Sequence, residues 1–317
     1  MFQYMDYIYK VYQCGSFSKA AKELYMTQPA LSIAIKKAEE EMETVLFERG
    51  KTPICLTESG RYYIKTVEKI YKMKEELQDV FLDMKQLQRG KITIGAANIV
   101  TTYFMPDILK VFSRKYPEIE VQIKEESLYV LKNMLKKEEL DLILDTEWYE
   151  DDISVCRLFQ NYVLLAIPKE LIQDHKLLYK GMTAKQVKNN EFLKKEAQKI
   201  TMDDVIKIPF LSLQPRNEIH LRSQIIFDYY KKIPKVKMSF NQQNTAYRFA
   251  AHGFGAAFVS DSLIKCAPEE EGLLYYQFDC PMPERWVSIG YKKRKYLSNA
   301  SKAFIKTAEE ILKSSYV

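Results

Sequence analysis

Ser16-Phe17-Ser18-Lys19-Ala20-Ala21-Lys22-Glu23-Leu24 is followed two residues later by Thr27-Gln28-Pro29-Ala30-Leu31-Ser32, and then by Leu46-Phe47-Glu48-Arg49. Ser16 or Ser18 can close the start of a helix through a side-chain oxygen, with Ala20, Ala21 and Leu24 on its inner face. Met26-Thr27 breaks that helix. Thr27 can cap the next one, and Pro29 suits its first turn, where a missing N–H is no loss. Leu31, Ile35 and Ala38 then fall on one buried stripe. Small alanines at the crossing let the two helices approach closely at a steep angle. The second helix is left exposed along one side, with Gln28 and Ser32 placed to reach base edges and Lys36 and Lys37 to meet phosphates. Arg49 and Lys51 fall between Leu46 and Leu56, where Gly50 and Pro53 interrupt apolar residues as in a two-stranded wing. A cation there would meet the DNA backbone beside the groove.

Working outward, Phe2, Met5, Ile8, Tyr9 and Tyr12 predict a helix over 2–13, ended by Gly15. Beyond the wing, Thr57 is a candidate cap for a helix running to about Leu87. Its apolar positions, Tyr63, Val67, Ile70, Leu77, Phe81 and Met84, alternate four and three residues apart, with Lys74 interrupting. A helix this long cannot bury such a stripe alone, so a dimer is expected. Arg89-Gly90-Lys91 ends the pattern. Short β runs (92–96, 121–124, 140–144, 162–167, 210–213, 256–259 and 287–291) then alternate with helical stretches (106–115, 130–137, 221–231 and 298–312). That alternation predicts an α/β domain with mainly parallel sheets, large enough for two lobes.

Composition narrows the function. Net charge is +6, but residues 1–90 hold 14 Lys and Arg against 13 Asp and Glu, so overall charge does not locate a nucleic-acid surface. Five scattered cysteines without a C-x-x-C pair and three histidines without ligand spacing signal neither a disulfide framework nor a metal site, and no cofactor is expected. No run has the length of a membrane span, and residues 1–10 lack the basic start and apolar stretch of a signal peptide. A cytoplasmic protein is expected. Gly253-x-Gly255 precedes a β run instead of following one, so a tight helix-to-strand turn explains it better than nucleotide binding. No catalytic arrangement stands at recognisable spacing, which argues against an enzyme.

The ordered pattern resembles the signature of the LysR-type transcriptional regulators. In that family the second helix follows a Ser-Phe-Ser/Thr start and carries an Ala-Ala pair. The reading helix begins Gln-Pro-Ala, Leu-Phe-x-Arg precedes the wing, and Leu-Thr-x-x-Gly, here Leu56 to Gly60, opens a linker helix. The resemblance implies a winged helix-turn-helix over 1–58, a linker and dimerisation helix over 59–89, and an effector-binding domain over 90–317 with the two-lobed α/β fold of type 2 periplasmic binding proteins. Ser18, Thr27, Gln28, Pro29, Ala30, Ser32, Ile33, Lys36, Lys37, Arg49 and Lys51 are its DNA-contact positions. Ile33 stands where the family usually has arginine, Glu43 where it has glycine after the reading helix, and Ala38 where it has leucine. In the effector domain, carried-over cleft positions are Asn98, Ile99, Thr101, Thr102, Ser127, Leu128, Gln214, Arg216, Asn217 and Thr245. Helix N-termini near Thr101 and Asn217, with Arg216 on the rim, predict a mildly electropositive cleft for a small organic acid with an apolar body. Partners implied are double-stranded operator DNA, a second copy in a dimer and two dimers in a tetramer, and RNA polymerase if the protein activates. The absent signal peptide and the attached helix-turn-helix argue against a solute-binding protein.

Overall fold

The computed structural model describes residues 2–48, 53–84, 90–146, 151–293 and 295–316. The chain divides between Lys85 and Gln86 into two units. The first contains α1 (Met5–Cys14), α2 (Phe17–Glu23), α3 (Gln28–Glu41), the strands β1 (Phe47–Glu48) and β2 (Cys55–Leu56), and the long helix α4 (Glu58–Met84). The first helix starts later than its periodicity implies, because Phe2–Tyr4 forms a 3-10 turn. Ser16, not Ser18, caps α2 by accepting from Lys19 N–H at 3.4 Å. Thr27 caps α3 in the same way, accepting from Ala30 N–H at 3.4 Å. Ile8, Val11, Ala20, Ala21, Leu31, Ile35, Ala38, Leu46, Phe47 and Ile64 are buried together, so α1, α2, α3, the wing and the start of α4 share one core. Tyr71 of α4 also stacks near Tyr9, centroids 5.0 Å apart, and donates its hydroxyl to Asp6.

Two local devices join the reading helix to the wing and the wing to α4. Glu39 is buried, and its Oε1 accepts from Leu46 N–H at 2.7 Å and Phe47 N–H at 3.3 Å. The acidic run is thus split: Glu39 turns inward to hold the wing, while Glu40 and Glu41 stay exposed. Thr57 N–H donates to Leu46 O at 3.0 Å, and its hydroxyl donates to Val45 O at 2.6 Å and accepts from Gly60 N–H at 2.9 Å. A Cβ on Gly60 would lie 2.1 Å from Leu46 O, so only glycine permits this approach.

The second unit is two α/β lobes. Its elements are β3 (Gly90–Ala96), α5 (Met105–Lys115), β4 (Ile119–Glu125), α6 (Leu128–Lys136), β5 (Leu142–Thr146), β6 (Ile153–Gln160), β7 (Val163–Pro168), α7 (His175–Lys180), α8 (Ala184–Lys188), β8 (Lys199–Ile200), β9 (Phe210–Leu213), α9 (Glu218–Tyr230), β10 (Val236–Phe240), α10 (Gln243–Ala251), β11 (Ala256–Ser260), α11 (Asp261–Cys266), β12 (Leu273–Phe278), β13 (Trp286–Lys292) and α12 (Asn299–Tyr316). One sheet has the order β4-β3-β5-β13-β6, the other β10-β9-β11-β7-β12-β8. Each has its own apolar core.

Among the described residues five of the nine strand pairings in this unit are parallel, as expected, and four are antiparallel. β13 runs antiparallel to β5 and β6, and β7 antiparallel to β11 and β12. Both are strands on which the chain arrives from the other lobe, without the helical crossover that parallel neighbours require. At the α10–β11 turn Gly253 has φ +81°, and a Cβ on Gly255 would lie 2.6 Å from Pro209 O. The glycine pair makes a tight turn, as its position before a strand implied. Among the described residues no helix is long and apolar enough to cross a membrane.

Candidate nucleic-acid interface and effector cleft

The outward face of α3 carries Pro29, Ala30, Ile33, Lys36 and Lys37, all exposed, with Gln28 exposed at its first residue. Ile33 is 59% exposed at the middle of this face. A large apolar side chain held in water between two lysines and the first turn is the feature of the helix that folding does not explain. Ser32 is half-buried beside it, and Thr27, though exposed, spends its hydroxyl on the cap. Lys36 lies 3.6 Å from Glu40 in an exposed pair, too weak to hold it away from a phosphate. Ser18 is exposed on α2. Arg49 and Lys51 lie outside the described residues. Glu43 follows α3 with φ +50°, which explains why glycine suits that position and why glutamate there is strained.

Along α4, Tyr62 is 77% exposed, Met73 68%, and Leu77 and Phe81 each 52%. Val67 and Ile64, by contrast, are buried against the domain's own core. Beside them runs a groove lined by Met42, Leu46, Tyr62, Tyr63, Val67 and Ile70. The expected stripe is therefore real but divided. Its first part packs within the unit, and its later part faces outward.

In the second unit a narrow cavity of about 100 Å³, partly open to solvent, lies between the lobes. Asn98, Ile99, Ser127, Leu128, Arg216 and Asn217 line it as expected. Thr101, Thr102, Gln214 and Thr245 do not. A π-helical turn, Val100–Phe104, precedes α5 and shifts its phase. Thr101 there donates to Asn98 O at 3.0 Å and bonds Glu125, while Thr102 faces solvent. Thr245 is on the exposed side of α10, whose first turn reaches the cavity through Gln242 and Gln243. Gln214 is exposed just past β9.

Residues from strand ends, crossovers and helix starts complete the polar lining: Glu126, Asp145, Asn161, Glu218, Asn241, Gln242, Gln243, Ser260 and Ser262. Sequence patterning missed them, although ligands in open α/β sheets gather at the carboxyl ends of strands, a signal that pointed to Asp145 and Ser260. Ser260 caps α11 by accepting from Leu263 N–H at 3.2 Å and bonds Gln243 Oε1 at 3.1 Å.

The cleft is not electropositive in its side chains. Its ionisable lining is Glu126, Asp145 and Glu218 against Arg216. Burial raises the Glu218 carboxyl above its ordinary value, opposed by Arg222 and Arg285, each 3.7 Å away. Arg216 instead places its guanidinium 4.8 Å from the centre of the Tyr129 ring, across the cleft. Asn244 Nδ2 donates to Asn98 Oδ1 at 2.8 Å, also across it. Ile99 and Tyr103 pack against the cores of both lobes. The first turns of α6 and α10 have no side-chain cap, so their N–H groups remain available at the cleft.

Residues 2–61 match the family described as "Bacterial regulatory helix-turn-helix protein, lysR family", and residues 85–313 match the "LysR substrate binding domain". The chain belongs to the LysR family of transcriptional regulators. A protein described as "Uncharacterized HTH-type transcriptional regulator YcgK" from Bacillus subtilis (strain 168) is 27% identical over 318 residues, 98% of this chain and 95% of that one. A probable RuBisCO transcriptional regulator of Porphyra purpurea is 29% identical over 310 residues, covering 94% and 89%. Among solved structures, full-length CbnR complexed with its target DNA has a TM-score of 0.62 at 15% identity, covering 98% of this chain and 99% of that one. Full-length OxyR from Pseudomonas aeruginosa has a TM-score of 0.63 at 19% identity, covering 96% of each. At these identities the structures show the fold. As a LysR-type regulator the protein joins a DNA-binding helix-turn-helix to an effector-binding domain, and the family is one of regulators, not enzymes.

Proposed function

We propose that the protein reads a specific operator through α3, as a cytoplasmic homotetramer built from dimers, under control of a small effector held between the lobes. The domains on this reading are 1–58 for DNA, 59–89 for dimerisation and 90–317 for the effector. The observation that carries it is the exposed face of α3, where Gln28 and Ile33 stand with Lys36 and Lys37. The lysines supply sequence-independent attraction to phosphates. Gln28 suits the paired acceptor and donor of adenine, and Ile33 suits a thymine methyl group, where the usual arginine would have sought guanine. Ser18, Thr27, Pro29, Ala30 and Ser32 set the approach of the helix, and Arg49 and Lys51 are assigned to the flanking backbone. RNA polymerase is the further partner if the outcome is activation.

Tyr62, Met73, Leu77 and Phe81, with the apolar groove beside α4, support dimerisation through this helix. Sedimentation should give a dimer or larger at micromolar concentration, and Leu77→Lys with Phe81→Lys should give monomers. A wild-type monomer would refute the assembly.

Asn98, Ile99, Ser127, Leu128, Arg216 and Asn217 form the effector site on this reading. Arg216 and the uncapped turns of α6 and α10 favour a carboxylate, while Glu126, Asp145 and the amides favour donors on the rest of the molecule. The effector is thus a small organic acid carrying its own amine or hydroxyl groups. Calorimetric screening of amino and hydroxy acids tests this; preference for purely apolar acids, or binding unchanged in Arg216→Ala, would contradict it.

A further inference from the structure

A second cavity, of about 350 Å³ and partly open to solvent, lies where the chain crosses between the lobes. Asn161 and Tyr162 of one crossover and Met282 and Arg285 of the other line it. Its charged lining is Lys199, Arg222 and Arg285 against one carboxylate, Glu284. We propose that this cavity is a binding site for a small hydroxylated anion, separate from the effector cleft.

The cations reach the cavity, whereas most of the acids that balance them lie outside its lining. Arg222 is 3% exposed and donates from both terminal nitrogens to Asn161, at 2.6 Å to Oδ1 and 2.9 Å to the carbonyl. Arg222 and Arg285 share Glu218 Oε1, each from Nε at 3.7 Å, beyond hydrogen-bond length. Glu218 is thus shared between two guanidiniums without a hydrogen bond to either Nε. Asp261, close to Arg222, is already held by Lys265 at 2.7 Å. Lys199 lies at the open edge of the cavity, its side chain 46% exposed, 3.8 Å from the 71% exposed side chain of Asp279, and solvent screens that pair. An anion entering this partly enclosed space meets three cations and one carboxylate at its wall, the other acids lying outside the lining. Gln277 Oε1, in the same lining, is buried without a hydrogen-bond partner. A buried acceptor left unpaired is costly, and a hydroxyl on the ligand satisfies it. Asn161 lines both cavities, and both crossovers border this one, so an anion held here acts on the arrangement of the lobes.

The test is calorimetry on the full-length protein at fixed ionic strength, with glycerol 3-phosphate, inorganic phosphate and glycerol as probes. Glycerol 3-phosphate should bind one site per chain, more tightly than phosphate, and glycerol should not bind. Lys199→Gln and Arg285→Gln should each weaken binding by about tenfold, as expected for a charged hydrogen bond, whereas Arg216→Ala in the effector cleft should leave it unchanged. Lys199 sits on the edge strand β8 away from the core, so a loss there is not a folding failure. No binding of either phosphate up to about 10 mM, a range in which even weak sites register, would overturn the proposal. So would binding that persists in Lys199→Gln, or that is lost in Arg216→Ala.

Discussion

Breaking the two polar contacts across the effector cleft should make lobe opening markedly more frequent. Arg216 over Tyr129 is a cation–π contact at a solvent-exposed rim, worth about 0.5–1 kcal/mol. Asn244 to Asn98, at 2.8 Å, is a neutral hydrogen bond worth about 1 kcal/mol net. The double variant Tyr129→Ala with Asn244→Ala should therefore shift the closed-to-open balance by about 1.5–2 kcal/mol, roughly ten- to thirtyfold. Ile99 and Tyr103 still pack against both cores, so the closed form remains the major one. A direct population measurement would then see little. Hydrogen exchange reports rare opening, because the rate of a protected amide follows the opening equilibrium. Peptides spanning 97–104 and 241–246 should exchange up to about thirtyfold faster in the double variant, with each single variant near the square root of that factor if the contacts act independently. Strand β7, in the core of the second lobe, should be unchanged. Unchanged rates at the cleft would refute the reasoning. A uniform rise through β7 would mean that the substitutions had destabilised the lobe as a whole.

In the DNA-binding unit, Glu43→Gly should raise stability by about 1 kcal/mol, because φ +50° strains any residue with a Cβ; a lowered melting temperature would contradict this. Gly60→Ala should lower stability and operator affinity together, since its Cβ must displace the Leu46 carbonyl 2.1 Å away; unfolding and binding curves matching wild type would exclude that. Glu39→Ala leaves Leu46 and Phe47 N–H groups without their acceptor and should cost about 2–3 kcal/mol in denaturant unfolding. Lys36→Ala should weaken binding to all DNA sequences and reduce the salt slope by about one unit, whereas Ile33→Ala should weaken only the operator, with the slope intact.

The DNA-binding half was legible because its signals are local. Thr27, Pro29 and the Leu31, Ile35, Ala38 stripe fix a helix within a dozen residues, and α3 forms there. Glu39 was not legible, since its role depends on Leu46 and Phe47 returning beside it. In the second unit β6, β8, β10 and β12 escaped notice. β12, Leu273–Phe278, is buried on both faces and shows no alternation. Without β6 and β12 the antiparallel entries of β13 and β7 were invisible too. The cleft was half legible: positions next to a strand end or helix start, such as Asn98, Ser127 and Asn217, were placed correctly. Thr101 and Thr102 failed because they lie within a π-helical turn, and no spacing rule announces one. The charge of the cleft was misjudged because Glu126, Asp145 and Glu218 reach it from segments far apart in sequence.

The most direct test of operator reading is fluorescence anisotropy of the full-length protein on DNA from its own promoter region, against a scrambled duplex of equal length at the same salt concentration. Base readout by α3 predicts an affinity for the promoter about a thousandfold or more above that for the scrambled duplex, as is typical of specific regulators, with the ratio collapsing in Gln28→Ala while scrambled binding stays as it was. Equal affinity for the two duplexes in wild type, or an equal loss on both in Gln28→Ala, would contradict it.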